Sequence, residues 1–542
     1  MDVNTSKRRK NSLVLQGSIL AVAALIVRMI GFFYRIPLNN ILTDEGNNYY
    51  SSAFIIYTFF LMISTYGFPI AISKLVSERL AEKKFKEVQA IFKSALSLGL
   101  ILGILFSIIL WFGADTLAVI GGDHPKAALA IKATAPALLI FSVLSVFRGY
   151  FQGMNTMVPT AISQILEQIF NAAFSLILAS VLVKKGLEYG AAGGELGTGI
   201  GALSALLLLL FVYKLARRKI FKKNLKKDIS NFKKKNIFFY WKLILTVSIP
   251  IIIGTAILNF ASIVDMVMFK KAIVFHGGVV LDATKLFGLY TTKNQLLINL
   301  PVTIAASLAM ASIPSISAAV VNGNTDDIRN KIEAAIRGTI LIVIPAAVGE
   351  FVLAKPIIDM LFTGGNLDLA AKLLQVAALS IVFFGLSTVS VGILQGLGKL
   401  KIQIWTSSLA LLLKVLLNIV LLFVFNLNVY GAVIANIIFS AVYAGLNLYV
   451  INKHIPLKLD LQRTVLIPIT AAALMGVTCY ISYYLIGILS GSNTAATLIS
   501  IIISMLVYII ILLKLKGITE KEIVDFPKGY KILKLLKKLK MI

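Results

Sequence analysis

The stretch of sequence that decides the fold is Gly67-Phe68-Pro69-Ile70-Ala71-Ile72-Ser73, because a related stretch, Ser312-Ile313-Pro314-Ser315-Ile316-Ser317, follows with its proline 245 positions later. Three more runs return in the same order, at offsets of 243, 243 and 241 positions: Gly121-Gly122 as Gly364-Gly365, Phe151-Gln152-Gly153 as Leu394-Gln395-Gly396, and Tyr189-Gly190-Ala191-Ala192 as Tyr430-Gly431-Ala432-Val433. Four runs that recur in the same order and at nearly the same spacing indicate an internal duplication of the sequence. In membrane proteins, duplicated halves are typical of transporters that rock about a central site.

The composition is that of an integral membrane protein. Of 542 residues, 58% are hydrophobic and 14% are charged, and the mean hydropathy is +0.89, whereas soluble domains carry about 25% charged residues. Apolar runs long enough to cross about 30 Å of hydrocarbon recur along the chain. They are continuous rather than alternating, so we expect an all-α integral membrane protein and not a membrane barrel. The runs predict about fourteen spans, at 13–34, 49–72, 91–114, 127–148, 158–183, 191–213, 243–269, 287–313, 335–354, 373–395, 402–424, 430–452, 464–487 and 495–514.

Basic residues predict which ends of the spans face the cytoplasm. A Lys/Arg cluster at 7–10 precedes the first span, and others lie in the connection 214–242 and in the tail 515–542. The segments assigned to the outside, such as 43–48 and 426–428, are almost free of Lys and Arg. We therefore expect a multi-pass protein of the cell membrane with both termini in the cytoplasm.

The net charge of +29 follows from this topology. Basic patches can bind nucleic acid, but here they fall in predicted cytoplasmic loops, so no nucleic-acid partner is expected. The tail interleaves leucine and isoleucine with lysine, which predicts an amphipathic segment lying on anionic membrane lipids.

The repeat predicts the domain organisation. Spans 1–6 form an N-lobe (1–213), a basic cytoplasmic linker follows (214–242), and spans 7–12 form a C-lobe (243–452). Because each lobe has an even number of spans, the two six-helix lobes should be related as a parallel pseudo-twofold repeat. Spans 13 and 14 (453–514) have no counterpart in the repeat and are predicted to be an appended pair before the basic cytoplasmic tail (515–542).

Polar and ionisable residues deep in the spans are the candidate site residues. A charge at mid-bilayer costs about 2.5–3.5 kcal/mol on insertion scales, so it faces a wet cavity or a partner. For Arg35, snorkelling to the outer headgroups is the structural alternative. Structural ion pairs between Glu167 and Lys414, or between Asp265 and Arg28, are further alternatives to a functional role. The predicted substrate-binding residues are Arg28, Arg35, Lys293 and Lys414, and the predicted polar-cavity or coupling residues are Glu167, Asn171 and Asp265.

Other motifs do not indicate catalysis or metal binding. The glycine-rich run 193–201 lacks the GKS or GKT ending and the flanking strand of a phosphate-binding loop, so close helix packing is the better account. The three histidines fall in predicted loops without metal-ligand spacing, and Cys479 is the single cysteine. We therefore expect neither an enzyme nor a metal site.

At three places the sequence resembles the MurJ-type lipid II flippases and, among them, the SpoVB-like polysaccharide exporters. The resemblance covers essentially the whole chain. The residues that carry it are Arg28-Met29-Ile30-Gly31-Phe32-Phe33-Tyr34-Arg35, Gly67-Phe68-Pro69-Ile70-Ala71 ending in Glu78, and Tyr290-Thr291-Thr292-Lys293 leading to Pro314.

The resemblance implies a flippase that moves an undecaprenyl-pyrophosphate-linked cell-wall precursor from the inner to the outer leaflet by alternating access. Lipid II is the first candidate for this precursor. The resemblance places Arg28, Arg35 and Lys293 around the pyrophosphate in a central cavity and gives spans 13–14 a groove for the lipid tail. This chain departs from the family in lacking a further arginine in span 2, where aromatic residues stand, and in having Ile36 rather than an acid after Arg35.

Alternative functions remain open at this point. They are a cation-coupled multidrug antiporter, in which Glu167 and Asp265 would carry the ion, an exporter of another lipid-linked polysaccharide unit, and a non-transporting membrane protein. No cofactor is expected, and either a coupling ion or the membrane potential would reset the cycle. The expected partners are a lipid-linked oligosaccharide and anionic lipids, and a monomer is expected.

Overall fold

The computed structural model describes residues 3–63, 67–121, 125–154, 156–216, 235–321 and 323–518. Throughout these residues the secondary structure is helical, without a strand, which confirms the all-α expectation. The predicted basic linker and tail fall largely outside the described residues, at 217–234 and 519–542.

Sixteen α-helices are numbered here in chain order. The first eight are α1 Val3–Leu61, α2 Gly67–Ala81, α3 Phe85–Ile120, α4 Ala127–Gly153, α5 Val158–Leu182, α6 Leu187–Ala216, α7 Ile237–Phe275 and α8 Val280–Leu289. The others are α9 Gln295–Val321, α10 Thr325–Val352, α11 Ala354–Leu361, α12 Leu367–Gly396, α13 Leu400–Asn418, α14 Asn428–His454, α15 Ile467–Ser490 and α16 Asn493–Lys514. Segments of π-helix adjoin α8, α13 and α15, at Tyr290–Asn294, Ile419–Val424 and Gln462–Leu466.

The described residues of the fourteen predicted spans are almost all helical. Within the described residues, eleven helices are long and apolar enough to cross a membrane, so the count of fourteen stays a prediction. The predicted span 49–72 covers the end of α1 at Leu61 and the start of α2 at Gly67, and its residues 64–66 lie outside the described part of the chain.

Helix α1 contains two arms joined at a kink. Its candidate spanning stretch, Val22–Leu61, has 40 residues, which at 1.5 Å per residue is about 60 Å, twice the thickness of the hydrocarbon core. Thr43 has non-helical backbone angles, φ 60° and ψ 178°, and so divides the stretch. The side-chain amide of Asn47 donates to the carbonyl oxygen of Asn39 at 2.8 Å across the kink.

The prediction of an outside loop at 43–48 is therefore wrong in its local structure, because helix resumes directly after Thr43. The Asn39–Asn47 contacts satisfy polar groups at the kink, which a hydropathy pattern does not register. The segment 426–428, predicted as an outside loop, does interrupt the helices, and Asn426 and Asn428 both have positive φ, a conformation that asparagine tolerates well. Its side of the membrane stays a prediction.

The described residues form two compact units. The first extends from the N-terminal helix to Thr292 and includes Ser407–Ala432, and the second comprises Lys293–Thr406 and the described residues from Val433 onward. The lobes predicted from the repeat, 1–213 and 243–452, describe the duplicated halves of the sequence and stay a prediction.

The repeated runs make the same kind of contact in each copy. In the first unit, a Cβ added to Gly153 would lie 2.7 Å from Val76 Cβ, and one added to Gly149 would lie 2.8 Å from Pro69 Cα. In the second unit, a Cβ added to Gly396 would lie 3.1 Å from Ile316, whose neighbour Ser317 donates its hydroxyl to the Gly396 carbonyl at 3.0 Å. In both copies, therefore, the Gln-Gly run packs closely against the helix that carries the proline-containing run.

Each unit has its own apolar core. In the first, the Phe92 ring packs against Phe147, Tyr150 and Tyr213 at centroid distances of 5.3, 4.4 and 5.2 Å, which joins α3, α4 and α6. In the second, isoleucines at every fourth position of α10 pack with α12, α15 and α16: Ile328, Ile332, Ile336, Ile340 and Ile344. The appended pair of spans is thus part of the second core, in which a Cβ added to Gly476 of α15 would lie 2.8 Å from Val348 of α10.

The first prediction concerns these glycine contacts. We expect Gly153→Ala to lower the melting temperature of the purified protein, because overpacking costs about 1–3 kcal/mol and the obstructing atoms include the Ser73 carbonyl oxygen at 2.9 Å. Gly396→Ala should lower it less, since its nearest contact is 3.1 Å. Gly349→Ala is the control, because nothing lies within 4 Å of its added Cβ and alanine favours a helix. Equal melting temperatures for all three variants would contradict the account.

Candidate functional site

The arginines predicted to bind substrate lie on one face of α1. Arg28 and Arg35 are seven positions apart, and Gly31 lies between them on the same face. Both arginines are half-buried. A Cβ added to Gly31 would lie 3.3 Å from Gln168 Nε2, so this face of α1 packs against α5.

Arg35 is held by aromatic side chains. Its guanidinium carbon lies 5.0 Å from the ring centroid of Phe54, which is the geometry of a cation–π contact. The hydroxyl groups of Tyr34 and Tyr50 are 3.4 Å apart, and Tyr34 also hydrogen-bonds Arg35. These contacts keep the guanidinium among the helices of the first unit and favour an interior role over snorkelling.

Lys270 is a buried cation that the sequence analysis missed. It is 0% exposed, its ammonium donates to the Ser52 hydroxyl at 2.8 Å, and it lies 4.6 Å from the ring centroid of Phe287. The internal repeat carried a signal for it, because Lys270 and Lys271 stand 242 and 243 positions after Arg28. Only the structure shows that the first of this pair is buried and the second exposed.

Glu167 forms an ion pair with Arg148, a residue that sequence reasoning also missed. Arg148 Nη2 lies 2.6 Å from Glu167 Oε2, and both side chains are less than one-fifth exposed. The considered pair between Glu167 and Lys414 is not formed. Asn171, one turn further along α5, accepts hydrogen bonds from Ser175 at 2.9 Å and from Thr198 at 3.4 Å. This network joins α5 to α6.

Asp265 and Lys414 form a second ion pair, between α7 and α13. Lys414 Nζ lies 2.7 Å from Asp265 Oδ2, with side-chain exposures of 3% and 7%. Asn418 donates its side-chain amide to Asp265 Oδ1 at 3.0 Å. The carboxylate that was considered as a partner of Arg28 is thus bound to a lysine and an asparagine one turn apart on α13.

Lys293 lies in the second unit, within the π-helical segment Tyr290–Asn294, and is 2% exposed. Its ammonium donates to the carbonyl oxygen of Gly364 at 3.0 Å. Gly364 belongs to the repeated Gly-Gly run and has φ 74°, so the glycine sets the loop conformation that offers this carbonyl. Segments of π-helix inside α-helices are frequent at functional sites.

Glu195 is a third residue that sequence reasoning did not select. It lies in the glycine-rich run of α6, is 0% exposed, and neither of its carboxyl oxygens has a hydrogen-bond partner among the described residues. Arg35 is within electrostatic range of it.

These groups can bind an anion, and the described residues give no metal centre. Guanidinium and ammonium groups are the usual ligands of phosphate in proteins. No group of three or more His, Cys, Asp or Glu side chains suited to a metal ion occurs in the described part of the chain. Contact between the predicted site residues and a substrate stays a prediction.

The fold is shared with solved transporter structures. A solved MurJ lipid II flippase in an inward closed conformation matches with a TM-score of 0.64 at 18% identity, over 91% of this chain and 97% of that one. A multidrug resistance MATE family transporter of the MOP superfamily, in an inward-facing conformation, matches equally well at 0.64 and 18% identity, over 80% of this chain and 98% of that one. At this identity the likeness shows the fold.

Sequence comparisons give the family. The polysaccharide biosynthesis protein family matches residues 13–320, and the MatE family matches residues 250–420. The first of these matches covers more than half of the chain, so the chain belongs to the polysaccharide biosynthesis protein family, which confirms the resemblance drawn from the sequence.

Three relatives come from Bacillus subtilis (strain 168). The uncharacterized membrane protein YabM is 31% identical over 98% of each chain. The lipid II flippase MurJ is 27% identical over 88% of this chain and 90% of its own. Stage V sporulation protein B is 26% identical over 95% of this chain and 97% of its own.

The second prediction concerns the ion pair of Asp265 and Lys414. We expect Asp265→Asn to reduce stability by about 3–5 kcal/mol, because it leaves a buried ammonium without its carboxylate. Adding Lys414→Met should restore much of the loss, since an uncharged pair in apolar surroundings is often neutral for stability. Thermal unfolding of the purified variants measures both effects.

The control is Asp368→Asn, which removes an exposed partner of Lys355 at 2.6 Å and should cost less than about 1 kcal/mol. Strictly additive effects of Asp265→Asn and Lys414→Met would show that the two charges do not interact.

Proposed function

We propose that this protein is a flippase that moves an undecaprenyl-pyrophosphate-linked cell-wall precursor, with lipid II as the first candidate, from the inner to the outer leaflet by alternating access. The observation that carries the proposal is the presence of two cations inside the first unit, the half-buried Arg35 and the buried Lys270. Arg35 is held by aromatic rings and Lys270 by a hydroxyl group and an aromatic ring.

The sign of the charge supports this substrate class. A diphosphate is costly to remove from water and is matched by guanidinium and ammonium groups. The two acids that would serve a drug cation, Glu167 and Asp265, are each bound to a base of the chain itself, at 2.6 and 2.7 Å. The multidrug antiporter is therefore the weaker candidate, since an external cation would have to displace Arg148 or Lys414.

The relatives support a lipid-linked saccharide. MurJ is named a lipid II flippase, and the matched family is named for polysaccharide biosynthesis. An exporter of another lipid-linked polysaccharide unit is the second candidate function, because the family name is broader than lipid II. Arg28 and Lys293 are proposed as further contacts of the diphosphate.

The prenyl tail is proposed to lie along the helix pair α15–α16. In this pair, α15 carries exposed apolar side chains: Tyr480, Ile481, Tyr484, Leu485, Ile488 and Leu489. An apolar surface of this kind suits hydrocarbon, so the tail would stay in the lipid phase while the headgroup crosses. The protein is proposed to lie in the cell membrane with both termini in the cytoplasm and to act as a monomer.

The third prediction tests the substrate class. We expect the double variant Arg28→Ala, Lys293→Ala to lose at least about tenfold in flipping of labelled lipid II by the purified protein in vesicles, because each charge-assisted hydrogen bond contributes about 1.5–3 kcal/mol. Lys132→Ala is the control, since Lys132 lies in a partly exposed pair with Asp115. Undiminished flipping by the double variant would count against the proposal.

The fourth prediction concerns Lys270. Replacing it by Met keeps the volume and removes the charge, so we expect a folded protein whose lipid II flipping falls at least about tenfold. Lys271→Met is a matched control, because Lys271 is the next residue of the same helix and is exposed. If the two variants flipped lipid II equally well, the buried ammonium would have no part in transport.

A further inference from the structure

Glu195 is buried in a position where an ionised carboxylate is costly. It is 0% exposed, and both of its carboxyl oxygens lack a hydrogen-bond partner among the described residues. Glu167 and Asp265, by contrast, each have a base within 2.7 Å. An unpaired charge in a membrane interior costs several kcal/mol. An ionised Glu195 therefore has to be stabilised by something other than a hydrogen bond from a described residue.

The glycines around Glu195 bring helices α1, α4 and α5 close to α6. A Cβ added to Gly193 would lie 2.7 Å from the Leu178 carbonyl oxygen of α5, and one added to Gly197 would lie 2.2 Å from Ser175 Oγ. On the other side, a Cβ added to Gly194 would lie 3.2 Å from the Tyr50 ring of α1. The glycine-rich run thus encloses the carboxyl group rather than a phosphate.

One charged group faces Glu195 from these helices. From α1, the Arg35 guanidinium and the Tyr50 hydroxyl interact with it electrostatically, and Tyr34 lies against both of those groups. From α5, the packed groups are Ser175, whose hydroxyl donates to the Gly194 carbonyl at 2.6 Å, and backbone at Leu178. From α4, Ala137 packs near Gly199. The ionised form of Glu195 therefore depends on the charge of Arg35.

We propose that Glu195 is a proton-binding site linked to the anion bound at Arg35. An anionic headgroup and the Glu195 carboxylate compete for the same guanidinium. When the anion engages Arg35, Glu195 takes up one proton from solvent, which forms an O–H bond and leaves a neutral carboxyl group. When the anion leaves, the proton is released and the carboxylate interacts with Arg35 again.

This inference rests on the proposed function, because it takes Arg35 as a contact of the diphosphate. Linkage is reciprocal, so a proton bound together with the anion makes anion affinity depend on pH. Lowering the pH protonates the competitor of the anion, and binding becomes tighter. Uptake of a single proton limits the slope to about tenfold in Kd per pH unit.

Binding of lipid II to the full-length protein in lipid nanodiscs, measured between about pH 5.5 and about pH 8.5, tests the site. Lipid II is the chosen probe because a diphosphate esterified at both ends has no terminal phosphate group, whose second ionisation falls near pH 6. We expect wild-type Kd to rise with pH, and Glu195→Gln to bind at every pH as tightly as the wild type does at the acid end. A pH indicator in weak buffer should show proton uptake on lipid II addition for the wild type and none for Glu195→Gln.

Three variants control the result. Glu195→Asp should keep the pH dependence, and Glu350→Gln should keep it too, because Glu350 is a membrane-embedded acid of the second unit. Arg35→Ala should bind weakly at all pH values. The melting temperature of each variant checks that it is folded.

Two failures are distinguishable. If Glu195→Gln keeps the wild-type pH slope and proton uptake while Arg35→Ala loses binding, the proton site is overturned and the proposed function stands. If the wild type does not bind lipid II at any pH, or Arg35→Ala binds as well as the wild type, the diphosphate contact at Arg35 fails and the proton linkage fails with it.

Discussion

The structure depends on one constraint, which is that an ionised side chain inside a membrane protein must be matched by another group. The first unit meets it in three ways. Arg148 with Glu167, and Lys414 with Asp265, are close ion pairs. Lys270 is matched by a hydroxyl group and an aromatic ring, and Arg35 by aromatic side chains. Lys293, in the second unit, uses a backbone carbonyl from a glycine loop.

The two copies of the duplicated sequence share sites at which helices come into close backbone contact. Gly153 and Gly396 occupy corresponding places in the two copies, and each lies against the helix that carries the proline-containing run of its own copy. Gly190 and Gly431 also occupy corresponding places, and they pack near Val183 and Leu422 in the preceding helical segments. Short repeated motifs therefore survive where a side chain would separate two helices, and the longer apolar stretches between them are free to diverge, because hydrocarbon tolerates many apolar side chains.

The family of this protein follows from the comparisons, whereas its substrate is a proposal. Membership of the polysaccharide biosynthesis protein family rests on a sequence profile over residues 13–320, and the relatives match nearly the whole chain. The fold is shared equally with a lipid II flippase and a multidrug transporter. The charges bear on the choice between those two substrate classes, because the acids Glu167 and Asp265 are already paired with bases of the chain. The glycine-rich run of α6, which resembles a phosphate-binding loop in composition, instead encloses a carboxyl group.

The sequence alone determined the helical membrane class, the positions of the apolar spans and the internal repeat, because hydropathy and short-range periodicity are local properties. It also selected Arg28, Arg35, Lys293, Lys414, Glu167, Asn171 and Asp265 as polar residues deep in the spans. Only the tertiary structure decided the partners: Glu167 binds Arg148 rather than Lys414, and Lys270 is buried where Lys271 is exposed. The reason is physical. Lys270 and Ser52 are 218 positions apart, and the rotation of each helix about its axis, which chooses the partner, is set by packing between helices and not by the sequence of either one.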